Sequence, residues 1–483
     1  MMESYNRFHS SKRSRCVLTL IMLTGLIPLS VLYVIIVTLS TTFISSQTKK
    51  KNHVVGENAK VVMLTGGIMT KSLHYARCFW KNGYKVVMVE TAKHCTPASK
   101  WSRAVTHFET IASPFKNHDK YMDDLVRITK KYSVEFFVPV SHANSAIYEA
   151  TVKPKLEKLG CKVFHFDYDF IKILDNKHKF CDYTKKLDLK SPTTFCVSTE
   201  DEARELNQTL MKNTFNGDAT TYVLKNIQYD NVHRLDLFKM PCNPNVLDAY
   251  LDRINADGYA ISPKFPWQVQ QFIAGNDEYA CFAILRDGKI RALTTSKAKS
   301  HYEHRHYDYV DIPSITKWVE EFAKKSNITG QISFDIMKDA SSGIYYPIEC
   351  NPRVHSNCVT FPSTSELGDA VLSKSYCLRN NKMLTPPIDS KPVFWFYNEL
   401  FKTIFGSWLN YKKAGENETR GFSKFLSMLI EGREADFDVD DPLPFLMKNH
   451  FQVPCQLLDT FRKGTPWLKV DFLLGKIVTE HVQ

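Results

Sequence analysis

The chain lacks the cysteine spacing of a metal or redox module. Its 12 cysteines are scattered along 483 residues and no two stand as C-x-x-C. They read as reduced thiols rather than a disulfide framework or a zinc site. No RNA- or DNA-binding motif and no long basic tract occurs in the body of the chain. The formal net charge of +12 therefore suits an anionic small molecule such as ATP, or an acidic membrane surface, better than nucleic acid. Disorder is excluded by a composition that is 43% hydrophobic and 24% charged, and the length suits two or three domains with ordinary cores. Sequons at Asn207, Asn327 and Asn417 arise readily by chance and carry little weight.

Charge is absent from residues 17–44, a run of 28 rich in Leu, Ile and Val. A bilayer core needs about 20 apolar residues, so this run is expected to be a single transmembrane helix. It is too long for a typical signal-peptide core, although a cleaved signal sequence is the competing reading. Arg7, Lys12, Arg13 and Arg15 precede it and Lys49, Lys50 and Lys51 follow. That near-even balance leaves orientation open, and a need for ATP places the large C-terminal part in the cytosol. Residues 1–50 are thus a tail and anchor, and 47–58 a polar linker.

Residues 59–170 alternate strand and helix. Strands at 60–65, 85–90, 134–140 and 161–166, with helices at 69–82, 118–131 and up to 159, make a Rossmann-like parallel sheet. The first turn, Gly66-Gly67, and Glu90 at the end of the second strand mimic a dinucleotide site. Yet Thr65-Gly66-Gly67-Ile68-Met69-Thr70 is not G-x-G-x-x-G. Its amides and Lys71 suit an anionic group of another substrate equally well.

Residues 171–380 read as a second, mixed α/β domain. Asp175-Asn176-Lys177 opens a helix, with Asp175 expected as its N-cap. Lys225 sits inside the apolar strand 222–227, which is costly unless its head reaches solvent or a partner. It is either a snorkelling edge lysine or a phosphate contact. Residues 279–285 and 289–295 form a hairpin around Arg286-Asp287-Gly288-Lys289. His301, His304 and His306 read as a polar, substrate-facing loop before they read as metal ligands. His355 and Ser356 stand close enough to the next motif to meet an acceptor. From residue 386 to 483 the character changes: aromatics are frequent and no catalytic constellation is visible, which suits a packing module or a membrane-interface surface.

The densest chemistry lies in residues 330–355. Two short strands, 331–338 and 344–350, flank the turn Asp339-Ala-Ser-Ser-Gly343. Residues two apart share a strand face, so Glu349, Asn351 and Arg353 point together, and pairing brings Asp335 opposite them. The competing reading is a hairpin with a solvated acidic face. Two carboxylates and an amide oxygen suit Mg²⁺, which keeps water and phosphate in its shell. An adjacent Arg suits developing phosphate charge.

Glu349-Cys350-Asn351-Pro352-Arg353 resembles the E-x-N-P-R signature of the ATP-grasp superfamily, and the resemblance extends over roughly residues 60–375. It implies an α/β ATP-grasp fold: a Rossmann-like domain, then a two-lobed ATP-grasp domain, then a C-terminal extension. It implies ATP and Mg²⁺ as cofactors, with Asp335, Glu349 and Asn351 as metal ligands and Arg353 on the transferred phosphoryl group. Lys177 and Lys225 match the two lysines that touch ATP phosphates, Lys225 with a catalytic part. Residues 268–275 match the segment along adenine, where Gln271 replaces the usual acid, and Glu278 matches the acid that holds the ribose. The phosphate-covering loop of the family is glycine-rich. Here 226–240 contains no Gly but has His233 and Arg234, so side chains such as Arg234 would take the place of backbone amides.

A closer resemblance covers nearly the whole chain and includes stretches outside the generic fold, such as DDPLPFL at 440–446 and LKVDFLLGKIV at 468–478. It is to the membrane-anchored ATP-grasp ligases of mycosporine biosynthesis. That implies phosphorylation of an enolic cyclohexenone, 4-deoxygadusol, followed by displacement of phosphate by glycine to form a C–N bond. Small-molecule substrates and a membrane, but no nucleic acid, are the implied partners. Two other readings remain: a carboxylate–amine ligase acting through an acyl phosphate, and a non-catalytic membrane-tethered nucleotide-binding protein.

Overall fold

A computed structural model of the chain describes residues 2–44, 55–140, 145–227, 236–298, 306–373, 383–405 and 418–479. The chain opens with two helices, α1 (Met2–Gly25) and α2 (Ile27–Ile44). The continuous span expected over 17–44 is interrupted: among the described residues no single helix is long and apolar enough to cross a membrane. Ser14–Gly25 and Ile27–Ser40 meet that test only as a pair bent by 41°. Pro28, at the second position of α2, explains the break, because its ring excludes the carbonyl four residues earlier.

The sheet domain follows as β1 (Val61–Leu64), α3 (Thr70–Lys81), β2 (Lys85–Thr91), β3 (His107–Ile111), α4 (His118–Tyr132), β4 (Phe136–Val138), α5 (Ala146–Glu157) and β5 (Lys162–Val163). The strands lie in the order β3-β2-β1-β4-β5, all parallel, as the alternating pattern predicts. The strand β3 is not evident in the sequence. It is an edge strand of mixed composition with only Ile111 buried, so neither alternation nor an apolar run marks it.

Two helices, α6 (Tyr168–Leu174) and α7 (Lys177–Lys186), lead to a small antiparallel sheet. It is built from β6 (Thr194–Val197), α8 (Glu200–Phe215), β7 (Tyr222–Asn226), β8 (Phe238–Met240), α9 (Pro244–Ala256) and β9 (Trp267–Gln271), in the strand order β6-β9-β7-β8. The second sheet, β11-β10-β13-β14, comprises β10 (Asp277–Arg286), β11 (Lys289–Ala298), β13 (Gly330–Lys338) and β14 (Tyr345–Asn351). Between β11 and β13 come the short β12 (His306–Tyr307) and α10 (Pro313–Ser326), whose Ile315, Val319 and Phe322 pack behind the sheet.

After α11 (Ser365–Leu372) the C-terminal part comprises β15 (Val393–Phe394), α12 (Phe396–Phe405), α13 (Glu418–Glu431) and β16 (Arg433–Glu434). It continues with α14 (Leu443–Met447), a π-helical turn (Lys448–Gln452), α15 (Val453–Lys463) and the hairpin β17 (Trp467–Asp471) and β18 (Lys476–Thr479). It is woven into the rest of the molecule. The strand β15 pairs with β12, and one apolar core joins Leu23, Leu64, Phe79, Phe282, Trp395, Phe445 and Leu457. The helix α3 lies at the centre of this arrangement, with every residue from Thr70 to Phe79 buried.

Candidate active site

The cleft between the two antiparallel sheets collects most of the residues singled out in the sequence. The hairpin β13–β14 pairs as the alternation predicts, with Asp335 opposite Glu349 and Ser333 opposite Asn351. A bulge between Asp335 and Ile336 ends the regular ladder there. The Asn351 amide donates to Asp335 Oδ2 at 3.2 Å, and Arg353 donates to Asn351 Oδ1. On β10, Ala280 faces Asp335 and Glu278 faces Met337, so Glu278 lies on the Asp335 face of the sheet.

The lysines come from two further elements, α7 and β7. Lys177, the first residue of α7, brings Nζ to 3.9 Å from Glu349 Oε1. Lys225, on β7, donates to Gln270 Oε1 at 3.3 Å. Burial lowers the Lys225 pKa first of all. Glu349 and Glu278 act against that and Lys177 with it, so all four groups share one electrostatic field.

Burial, together with the Glu349 and Glu278 carboxylates, pushes the Asp335 carboxyl well above the usual range, while Arg353 and Asn351 act in the opposite sense. A cation placed among these carboxylates would relieve their mutual repulsion. Among the described residues no three His, Cys, Asp or Glu side chains are grouped as a protein-only metal cage. The donor set is two facing carboxylates and an amide oxygen, next to lysines suited to phosphate. It fits Mg²⁺, which takes one or two carboxylates and completes its shell with water and phosphate.

Other expectations are placed differently. Asp175 is not the N-cap of α7. Asn176 caps it, accepting from Lys179 N at 3.0 Å, because only Asn176 takes the extended backbone that a cap requires. Asp175 instead accepts from Arg353 Nη1 at 2.7 Å and fixes the guanidinium in the cleft. The Gln271 side chain accepts from Thr193 N at 3.2 Å and joins β9 to the segment before β6. Gly275 beside it is required by close approach, since a Cβ there would lie 2.1 Å from the Lys338 carbonyl oxygen. Arg234 and His233, like His301 and His304, lie outside the described residues.

Gln270 was not singled out in the sequence, whereas the Gly66-Gly67 turn and Lys71, read there as suited to an anionic group, are engaged by the protein itself. Gln270, fully buried, accepts from Lys225 and donates to the Ile348 carbonyl at 3.2 Å, tying β7 to β14. The Gly66-Gly67 turn is closed from within, because the buried Glu90 carboxylate accepts from Ile68 N at 3.2 Å and Thr91 N at 2.7 Å. That places a carboxylate where the dinucleotide reading needs a phosphate. Lys71, also buried, donates to the carbonyl of Val354, next to Arg353, at 2.8 Å. Burial and the Arg353 charge lower its pKa to about 8. His355 is half-buried and packs edge-on against Tyr307, with ring centroids 5.9 Å apart.

The C-terminal part reaches this same loop. Thr70 Oγ1 accepts from Trp395 Nε1 at 2.9 Å and from Lys448 Nζ at 2.7 Å. Lys448 is paired with Asp436 at 2.8 Å, both side chains being 3% exposed. Gln452 donates to the Ile68 carbonyl at 3.1 Å and accepts from Ala98 N at 2.7 Å. The only sequence signal for these contacts is the DDPLPFL stretch. Its Asp441 accepts from the buried Arg77 of α3 at 3.0 Å.

No protein-family model and no curated protein matches the chain. Among solved structures, purK, an N5-carboxyaminoimidazole ribonucleotide synthetase in its ADP complex, is similar with a TM-score of 0.52 at 12% identity. The match covers 79% of this chain and 100% of that one. The N5-carboxyaminoimidazole synthetase of Staphylococcus aureus complexed with ADP gives a TM-score of 0.50 at 12% identity, over 79% and 99%. Identity this low speaks for architecture alone, and the architecture shared with these proteins is the ATP-grasp fold.

Proposed function

We propose that the chain is an ATP- and Mg²⁺-dependent ligase that forms a carbon–nitrogen bond. The observation that carries this reading is the convergence of Lys177, Lys225, Glu278, Asp335, Glu349, Asn351 and Arg353 in one cleft of an ATP-grasp fold. They come from separate elements of both sheets and of α7. A nucleotide-binding protein without catalysis would not need Arg353 held between Asp175 and Asn351 at the end of the acidic hairpin. The two solved structures reported above are themselves synthetases bound to ADP.

In this reading Mg²⁺, when bound, screens the phosphate charges of ATP. Lys177 and Lys225 hold the phosphates from the small-sheet side, and Glu278 holds the ribose. Arg353 stabilises charge on the phosphoryl group as it passes to an oxygen of the acceptor and ADP leaves. The amine then attacks the activated carbon, and phosphate departs with the C–O bond electrons. Lys71 is buried, and its bond to the Val354 carbonyl would fix the 353–356 loop, which lies next to the acceptor in this reading. The finer reading is a cyclohexenone of the 4-deoxygadusol type as acceptor and glycine as amine. It rests on the sequence resemblance.

The test is ADP release by the full chain in detergent with Mg²⁺, ATP, 4-deoxygadusol and glycine, with product followed by mass and ultraviolet absorbance. Turnover needing both substrates, and abolished in Glu349→Gln, supports the ligase. ADP release only with a carboxylate and an amine would move the substrate class to the acyl-phosphate type. Failure to bind ATP would overturn the reading of the cleft.

A further inference from the structure

The helices α1 and α2 are apolar on both faces, with Leu20, Leu23, Leu26 and Tyr33 turned to the core and a second aliphatic face turned away from it. Their inward stripe runs Cys16, Thr19, Leu23, Ser30, at intervals of three, four and seven residues, and includes the fully buried hydroxyls of Thr19 and Ser30. Their outward face carries large aliphatic side chains: Ile21 is 63% exposed, Ile36 56%, Leu39 59% and Leu32 51%. A helix pair that buries one apolar face and still exposes a second one of this extent is arranged for an apolar surround.

The inward stripe is fastened to the C-terminal part along its length. Arg15 donates to the Leu468 carbonyl at 3.1 Å and lies over the Trp467 ring, 4.8 Å from its centroid. His450 Nδ1 donates to the Leu23 carbonyl at 3.0 Å. Ser30 Oγ and Tyr397 OH share a hydrogen bond of 2.6 Å. Tyr33 packs against Phe396 and Phe445 at centroid distances of 5.2 and 5.6 Å. From Arg15 to Tyr33 this is roughly 27 Å of docked helix, close to the ~30 Å of a bilayer core. A docked helix of that length cannot cross the bilayer unless the C-terminal part enters the hydrocarbon with it. That part carries the buried Lys448–Asp436 pair and the carboxylates Asp438 and Asp440 beside Lys81, groups that hydrocarbon would penalise heavily.

We propose that α1 and α2 form a monotopic membrane-seating element. It lies flat on the folded body and buries its outer face in one leaflet of an anionic bilayer, without crossing it. Charge favours this occupant. Seven cations (Arg7, Lys12, Arg13, Arg15 and Lys49–Lys51) flank the apolar run, and no Asp or Glu occurs between Glu3 and Glu57. Phe461 and Leu468, both more than a third exposed, lie on α15 and β17, which pack against α1, and continue the apolar surface.

The test uses the full chain with an epitope tag before Met1 and sealed vesicles of phosphatidylcholine and phosphatidylserine at 3:1. The expected result is co-flotation with the vesicles, with tag and body both cleaved by protease added outside. Leu32→Glu and Ile36→Glu, at half-exposed positions, should lower the floated fraction at least tenfold while the thermal unfolding midpoint stays the same. A tag protected from protease while the body is cleaved would show a crossing helix and overturn the proposal. So would a dimer that stays in the aqueous phase, which would mean that a second copy covers this face. Equal flotation of the two variants and the parent would overturn it as well.

Discussion

Asp335 and Glu349 are direct partners across the β13–β14 hairpin, so two carboxylates that repel each other are held face to face by backbone pairing. Removing one charge should relieve the nucleotide-free protein and disable the loaded one. Asp335→Asn is expected to raise the urea midpoint by the equivalent of about 1 kcal/mol. It should lower kcat by at least about 100-fold. Equilibrium unfolding without nucleotide, set beside steady-state ADP release, checks both. A variant less stable than the parent would contradict the repulsion argument.

Arg353 is held as a fork, with one nitrogen on Asp175 and another on Asn351. A lysine has one point of charge and cannot make both contacts. Arg353→Lys is therefore expected to cost about 100-fold in kcat with little change in the KM for ATP. Asp175→Asn, which keeps a hydrogen-bond acceptor but loses the charge, should cost about tenfold. A raised KM for ATP with kcat unchanged would place Arg353 outside the reacting centre.

Lys225 is half-buried and bound to Gln270, with Glu349 and Glu278 as opposing charges. Lys225→Met keeps the stem and removes the ammonium. Losing a hydrogen bond to a charged phosphate costs about 1.5–3 kcal/mol, so ATP should bind roughly 10- to 100-fold more weakly. Calorimetric titration with ATP and Mg²⁺ measures this without turnover. Unchanged affinity would assign Lys225 to the ordinary snorkelling role.

His165 is buried and donates from Nε2 to the Ala146 carbonyl at 2.9 Å, and burial lowers its pKa from 6.5 to about 4. The folded state thus binds fewer protons than the unfolded chain between these values. The stability this group contributes is present above pH 6.5 and is lost as pH falls toward 4. Between pH 6.5 and 5 the loss is about 2 kcal/mol. The buried His74, lowered to about 3, acts in the same direction. Urea midpoints at the two pH values should differ accordingly, and His165→Gln should reduce the difference.

What the sequence discloses about this molecule follows the range of its interactions. The acidic hairpin is legible because alternation and a polar turn are local. The parallel sheet is legible because its inner strands are apolar runs, whereas the edge strand β3 carries no such mark. Asp175 is misread because a local capping rule competes with a partner 178 residues away, and the distant partner wins. The break in the N-terminal apolar run is written in Pro28, but the docking of its inner stripe is not. Nothing near Ser30 announces a bond to Tyr397. Residue types that look ordinary, such as Thr70 and Gln270, acquire their roles only from what the fold lays against them.

Thr70 is the clearest case, and it supports a prediction about the acceptor. It opens α3 beside Lys71, whose bond to the Val354 carbonyl would fix the acceptor loop in the proposed reaction, and its hydroxyl is held by Trp395 and Lys448 from the C-terminal part. Trp395→Phe keeps the aromatic packing and deletes the Nε1 donor. A neutral hydrogen bond contributes about 1 kcal/mol net, so the loop should lose its fixed position by roughly a fivefold factor. The expected outcome is a KM for the acceptor raised about fivefold, with the KM for ATP within about twofold of the parent, because Lys177 and Lys225, proposed to hold ATP, lie on α7 and β7. Thr70→Val removes the acceptor of both bonds and should act in the same direction with a larger effect. Parallel rises in both KM values would mean that the C-terminal part supports the fold as a whole and not the acceptor loop.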